Sequence, residues 1–376
     1  VPISDVHHQD RAQRLIQRAL SAQRVPHAYI FHGPDGVGKE LFAHRLAAIM
    51  LCENRSPSDA DAPIDACGAC RSCKLVAAGN HPDLHLVHRH LNVHHPDSEV
   101  RKKKAIDIGV DVIRHFVIDP CGMKPAMGRA KVFMVREADR ITSGAQNALL
   151  KTLEEPPPTT YLILLAKSAE RFLATTRSRC QLIGFGSLPR DYVARRLAEI
   201  RSDLSDSDIA LYAALADGSL GAAVQFADQN IRAINEQVVD VQLGLTRQNA
   251  LNAAARYIEI AKGFSQWYRE RDPALSETAA QRQGLSLVLR LAASAYRDAL
   301  HLACGSADAL VNDWARDRLD GMAETIGAEP LARMIPAIAH AEWTLDRNVN
   351  TQLAVESLMF NLVNAASGQT VAHQLT

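Results

Sequence analysis

The chain has 376 residues, 47% hydrophobic and 22% charged, the balance of an ordinary globular protein. At about 100–200 residues per domain, that length predicts two or three units, and we expect three. Its 42 Lys and Arg against 42 Asp and Glu give a formal charge of zero, which excludes a strongly basic chain that grips nucleic acid unaided.

Residues 9–23, QDRAQRLIQRALSAQ, set Ala12, Leu15, Ile16 and Leu20 at helical spacing. Ala28-Tyr-Ile-Phe31 then reads as a short buried strand running into Gly-Pro, and helical periodicity resumes over Glu40–Leu51. The segment 53–66, with two prolines, predicts a loop, and 88–104, HRHLNVHHPDSEVRKKK, an exposed, mobile excursion. Further apolar runs at Asp83–Val87, Lys131–Val135, Tyr161–Ala166 and Gln181–Phe185 alternate with helical stretches near 106–116, 143–155 and 168–177. That alternation predicts an α/β domain over 1–186 with a parallel sheet covered on both faces. Beyond Leu188 the strand signal ends. Short helices at 190–201, 205–216 and 219–228 predict a small helical domain over 187–242, and longer Ala- and Leu-rich helices an all-α domain over 243–376. No apolar run approaches the ~20 residues that span a bilayer. The first residues, VPISDVHHQDRAQRL, lack the apolar core of a secretory signal, so we expect a cytoplasmic protein without a membrane segment.

The stretch His32–Glu40, HGPDGVGKE, has the spacing of a phosphate cradle. Gly33, Gly36 and Gly38 let backbone N–H groups approach phosphate oxygens, Lys39 adds a positive charge, and the following helix turns its positive dipole end to the anion. Glu40 stands where a Ser or Thr hydroxyl would ligate Mg²⁺. On the acidic strand, Val132-Phe-Met-Val-Arg136-Glu137-Ala-Asp139, an arginine occupies the metal-organising position, unless the register shifts and Asp139 serves. A cation at the Mg²⁺ position and a carboxylate in the cradle both oppose metal-nucleotide chemistry. We therefore expect weak or absent ATP hydrolysis by this chain alone. The glycines and Lys39 can still hold ATP or ADP weakly without Mg²⁺, or Glu40 can repel it.

Four of the seven cysteines, Cys52, Cys67, Cys70 and Cys73, form a module over about 52–73. Four soft sulfurs at this spacing suit tetrahedral Zn²⁺ in a closed structural site, with an iron–sulfur cluster as the alternative. The histidines at 81, 85, 88, 90, 94 and 95 read as solvated side chains, and Cys121, Cys180 and Cys304 as structural thiols. Leu149, Leu150 and Leu153 share one helical stripe and read as core.

Together, the loop at 33–39, the four-cysteine insertion after its helix, Gly79-Asn-His-Pro-Asp83, Asn147-Ala-Leu-Leu-Lys-Thr-Leu-Glu-Glu-Pro156 and Arg177-Ser-Arg-Cys180 resemble bacterial DNA polymerase III clamp-loader subunits of the AAA+ class. The resemblance is strong over about 1–230 and returns at Asn348–Ala354. It implies an AAA+ domain with an inserted zinc module, a helical lid and a carboxyl-terminal helical collar within a five-membered ring. The implied partners are delta and tau/gamma subunits, primed DNA within the assembled complex and, indirectly, the sliding clamp. Motor subunits of that family keep an intact GKT/S loop, an Asp-Glu pair and a sensor arginine. This chain departs at Glu40, Arg136 and Gly221, so the expectation is a non-hydrolysing member, with an active tau/gamma-like motor as the alternative and a zinc-dependent DNA-binding regulator as a third reading. By the same resemblance, Arg179 of Ser178-Arg-Cys180 is an arginine finger offered in trans to a neighbour's ATP; its place between helix and strand is expected to project it from the domain edge. The basic run Arg101–Lys104 is a weaker candidate for DNA phosphates.

Overall fold

The computed structural model describes residues 2–55, 63–127, 129–306, 310–346 and 350–367. The middle of the expected 53–66 loop, residues 348 and 349 of the carboxyl-terminal motif, and the end of the expected third domain lie outside them. The chain divides into two compact units, Val1–Pro189 and Arg190–Thr376.

The first unit is built on five parallel strands, β1 (Ala28–His32), β2 (Leu84–Val87), β3 (Lys131–Val135), β4 (Thr160–Ala166) and β5 (Gln181–Gly184), in the order β2-β3-β4-β1-β5. The central strands are continuous apolar runs because helices cover both faces; every residue of β3 is buried. Even Lys131 is buried there, its ammonium donating to Pro120 O at 2.9 Å and Met123 O at 3.1 Å. The helices are α1 (Asp10–Ser21), α2 (Lys39–Leu51), α3 (Arg71–Ala77), α4 (Ser98–Lys102), α5 (Val110–Ile113), α6 (Asp119–Cys121), α7 (Ser143–Glu154) and α8 (Ala174–Arg177). A π-turn over Arg114–Ile118 joins α5 to α6. Ile30, Phe133, Val135, Leu149, Leu153 and Leu162 meet in one core, while Leu150 is half-buried and the fourth helical position inward is taken by Gln146.

One local expectation holds in part and another fails. The 88–104 stretch is exposed over 93–94, 96–99 and 101–104, but it is anchored: Arg89, Asn92 and Val100 are buried, with Arg89 donating to Ala105 O at 2.8 Å and Asn92 to Lys103 O at 2.5 Å. The 168–177 helix is broken into a 3-10 turn at Ala169–Arg171 and the single turn of α8, with Phe172 turned into the core between them.

The second unit is all helical among the described residues: α9 (Arg190–Ile200), α10 (Asp206–Leu215), α11 (Leu220–Asp228), α12 (Ile231–Leu243), α13 (Ala250–Arg271), α14 (Glu277–Ala303), α15 (Arg316–Ile326), α16 (Ala328–Asp346) and α17 (Thr351–Ala366). Its centre is α14, which buries Leu285, Val288, Leu289, Ala292 and Tyr296. Gly284 lets α13 approach closely, since a Cβ there would lie 2.4 Å from Ala261 O. The Asp298 carboxyl, 1% exposed, accepts from Asn312 N at 2.7 Å and Asn312 Nδ2 at 2.8 Å, so a buried polar group is satisfied by neighbouring donors. No described helix is long and apolar enough to cross a membrane.

Candidate functional site

The glycine loop joins β1, an interior strand between β4 and β5, to α2. Gly33 must be glycine: its φ is +144°, and a Cβ would sit 2.2 Å from Phe185 O. Gly38, at φ +102°, leads directly into α2, with a Val6 methyl 3.1 Å from where its Cβ would be. Lys39, 7% exposed, folds its ammonium back on the loop, donating to Gly33 O at 2.6 Å and Pro34 O at 2.5 Å, with Asp35 Oδ1 at 3.5 Å. Burial lowers its pKa, and Asp35 works against that shift. Gln9 braces the loop from outside, donating to Val37 O at 3.2 Å and Gly186 O at 2.9 Å while accepting from Gly186 N at 3.1 Å.

The two residues expected at the metal positions, Glu40 and Arg136, meet. Arg136, just past β3, pairs through Nη2 with Glu40 Oε1 in the first turn of α2, across 96 residues of sequence. His44 Nε2 lies 3.7 Å from the same carboxylate oxygen. The nearby His44 ring and the charge of Arg136 hold the Glu40 carboxyl below its ordinary pKa, against the opposing effect of burial. The nearby acids are engaged as well. Glu137, at φ +50°, accepts from Arg89 Nε at 2.9 Å and lies 3.6 Å from Arg140 Nε. Asp139 accepts from Lys167 N at 3.2 Å, and the Lys167 ammonium pairs with Asp35 at 2.8 Å. The cradle is thus neutralised by its own side chains. Gly221, at the position expected of a sensor cation, lies exposed in the first turn of α11.

Among the described residues, one group of His, Cys, Asp and Glu has metal-binding geometry: Cys52, Cys67, Cys70 and Cys73, with ligand atoms all within 4.8 Å of one another. The Cys52–Cys70 and Cys67–Cys73 sulfurs are each 4.0 Å apart. Tetrahedral Zn²⁺ with bonds near 2.3 Å calls for about 3.8 Å between sulfurs, so the donor set fits the ion. Backbone N–H groups favour the thiolate form: Cys67 N donates to Cys52 Sγ at 3.3 Å and Cys70 N to Cys67 Sγ at 3.3 Å. The bond from Cys70 N brings the Cys67 thiol down to about 6, while burial pushes Cys52 and Cys73 up. The module is fastened at both ends. Glu53 accepts from Ser72 N and Oγ at 3.0 Å, Ser72 Oγ lies 3.2 Å from His81 Nε2, and Asp65 accepts from Ile3 N at 2.8 Å. The Gly79–Asp83 motif is structural in the same sense: the buried Asp83 carboxylate accepts from Ala126 N at 2.6 Å and Met127 N at 2.8 Å.

Arg179 follows α8 but does not project. Its guanidinium donates to Thr175 O at 2.9 Å and Ser178 Oγ at 3.3 Å and pairs with Glu154 Oε1 at 2.5 Å. The basic run is also largely satisfied within the chain: Arg101 donates to His95 O at 2.8 Å and Pro96 O at 2.7 Å, Lys102 pairs with Glu99 at 2.7 Å and Lys103 with Asp111 at 2.8 Å. Gln9, Arg89 and Glu154 were not singled out in the sequence; their partners are 177, 48 and 25 residues away for the bonds to Gly186, Glu137 and Arg179, and only the fold brings them together.

A parallel sheet with a glycine loop between an interior strand and a helix defines a P-loop-type α/β protein, here with the two residues expected at its metal positions paired to each other. The family model for "DNA polymerase III, delta subunit" matches residues 8–189, nearly all of the first unit. It is 28% identical over 354 residues to DNA polymerase III subunit delta' of Bacillus subtilis, covering 94% of this chain and 96% of that one. It is 35% identical over 208 residues to subunit delta' of Escherichia coli, a match spanning 55% of this chain and 56% of the relative, and 30% identical over 232 residues to subunit tau of B. subtilis, spanning 60% and 37%. A solved gamma-subunit-related protein from Thermotoga maritima covers 94% of this chain and 99% of its own at 15% identity and a TM-score of 0.40, too loose a superposition to bear on function.

Proposed function

We propose that this chain is the delta prime subunit of a DNA polymerase III clamp loader. It is a largely non-hydrolysing stator that assembles in the cytoplasm with delta and tau/gamma subunits, takes part in loading the sliding clamp on primed DNA, and lends Arg179 to a neighbouring ATPase site. The observation that carries this reading is the Glu40–Arg136 pair: both metal positions are spent on each other, so the chain's own cradle has nothing with which to organise Mg²⁺. In this reading Gly33, Gly36, Gly38 and Lys39 form a vestigial cradle that holds ATP or ADP weakly if at all. Cys52, Cys67, Cys70 and Cys73 hold a structural Zn²⁺ that supplies no chemistry beyond fixing the module. Residues 187–242 serve as a lid and 243–376 as the collar, a role supported by the exposed Trp343, Leu353 and Phe360.

The test is steady-state ATP turnover by a complex of motor subunits, delta and this chain on primed DNA with clamp. Arg179→Ala is expected to leave the chain folded and the complex assembled while lowering turnover at the adjoining site by up to about 10³–10⁵-fold. Arg179→Lys should rescue little, because the planar fork is lost. Wild-type turnover by the Ala complex refutes the role of Arg179.

A further inference from the structure

Arg179 is held by more than its own turn. Its Nη1 is satisfied locally, by Thr175 O and Ser178 Oγ, but Nη2 is drawn to Glu154, the last residue of α7, which packs on α8. Glu154 is in the wrong place for a helix: the carboxyl end carries partial negative charge, and an acid there works against the dipole. Neither backbone is free to follow the other. His27 Nε2 lies 2.9 Å from Leu153 O, and Arg179 N donates to Thr176 O at 3.2 Å. The pair therefore opens by side-chain rotation, and with side-chain exposures of 33% for Arg179 and 49% for Glu154 it is wet enough to do so easily.

We propose that Glu154 is a positioning residue for Arg179: it parks the guanidinium against α8 until a more highly charged anion, the terminal phosphate of a neighbouring subunit's nucleotide, competes for the same donors. This rests on the reading of Arg179 as an arginine offered in trans. A single carboxylate on a half-exposed pair loses to a phosphate bearing about two charges with three acceptor oxygens, but it wins when the neighbour's site is empty. Glu154 makes the reach of Arg179 conditional on nucleotide in the adjoining site.

The test uses the assembled complex with Glu154→Gln, Arg179→Ala and the double variant, reading KM for ATP and kcat separately. Glu154→Gln keeps the volume and removes the competing charge. It should lower KM by about 1.5- to 5-fold, the range set by an exposed pair, with kcat little changed. In the Arg179→Ala background the same substitution should do nothing. If Arg179→Ala lowers turnover but Glu154→Gln leaves KM unchanged, or acts equally with and without Arg179, the parking role is overturned and the trans arginine stands. If Arg179→Ala itself changes nothing, the trans reading fails and takes the proposal with it.

Discussion

The Glu40–Arg136 pair can be taken apart quantitatively. Exposed pairs couple by about 0.2–1 kcal/mol, and this one belongs near the top of that range, because the pair ties the first turn of α2 to the end of β3. In a double-mutant cycle, Glu40→Ala and Arg136→Ala should each destabilise the first unit, and their combination should cost about 1 kcal/mol less than the sum. In thermal unfolding, about 1 kcal/mol corresponds to roughly 2–4 °C for a unit of this size. A second arm restores the metal positions. Glu40→Thr with Arg136→Asp takes the local charge of those two residues from zero to minus one and supplies a hydroxyl and a carboxylate, the groups that hold Mg²⁺ in hydrolysing relatives of the fold. Nucleotide binding followed by fluorescence anisotropy, with Mg²⁺ and with chelator, should then show a Mg²⁺-dependent gain of at least about tenfold in the double variant, equivalent to about 1.4 kcal/mol, and none in the parent chain. Two results would refute the reasoning: zero coupling in the cycle, or a parent chain whose ATP affinity already rises with Mg²⁺ as steeply as the variant's.

Three further outcomes follow from the geometry. Zinc measured in the purified chain should be near one ion per molecule, and Cys70→Ser should lose the ion and open the module to protease near 63–78; full protection without metal would speak against a structural ion. Gly33→Ala should destabilise the first unit by about 2 kcal/mol or more, since the Cβ meets Phe185 O and the backbone angle resists an L side chain, and an unchanged urea midpoint would show that β5 yields freely. His85, stacked on Phe133 with ring centres 4.6 Å apart, has its pKa lowered below 6.5 chiefly by burial. The unfolded chain therefore binds a proton that the folded one refuses, and stability should fall as pH drops below about 6.5 until the folded-state pKa is reached. His81 and His88 are lowered by burial in the same way, so His85→Phe, which keeps the ring, should make the fall in melting temperature between pH 7 and 5 shallower without abolishing it; an identical slope in both proteins would exclude His85 as a contributor.

The strand, loop and helix around the cradle were legible because glycine spacing and a change of hydrophobic period mark them directly. Glu40 and Arg136 were each legible as anomalies, but their meeting was not: only the pairing of β3 into the sheet carries Arg136 to the first turn of α2. The 88–104 segment is exposed over most of its length, as its charges suggest, but its anchor was not legible, because hydropathy cannot distinguish a solvated arginine from Arg89, whose guanidinium is buried on Glu137 and Ala105 O. The break before α8 escaped notice because Phe172 fits a helical stripe as well as it fits the core. Arg179 was singled out through its motif, but its pairing with Glu154 was not legible, since nothing local announces that partner.

Gln9 has a further consequence. Its one amide group joins the carbonyl of Val37 in the cradle loop to both backbone groups of Gly186, three residues before the first unit ends. The loop and the chain's way out of the sheet are therefore spliced at a single side chain, far from either in sequence. Any event that moves the loop has to be absorbed by this joint or passed on to Gly186. Evolution can discard the chemistry of such a cradle and still be obliged to keep its shape, because the same few atoms set where the rest of the polypeptide departs.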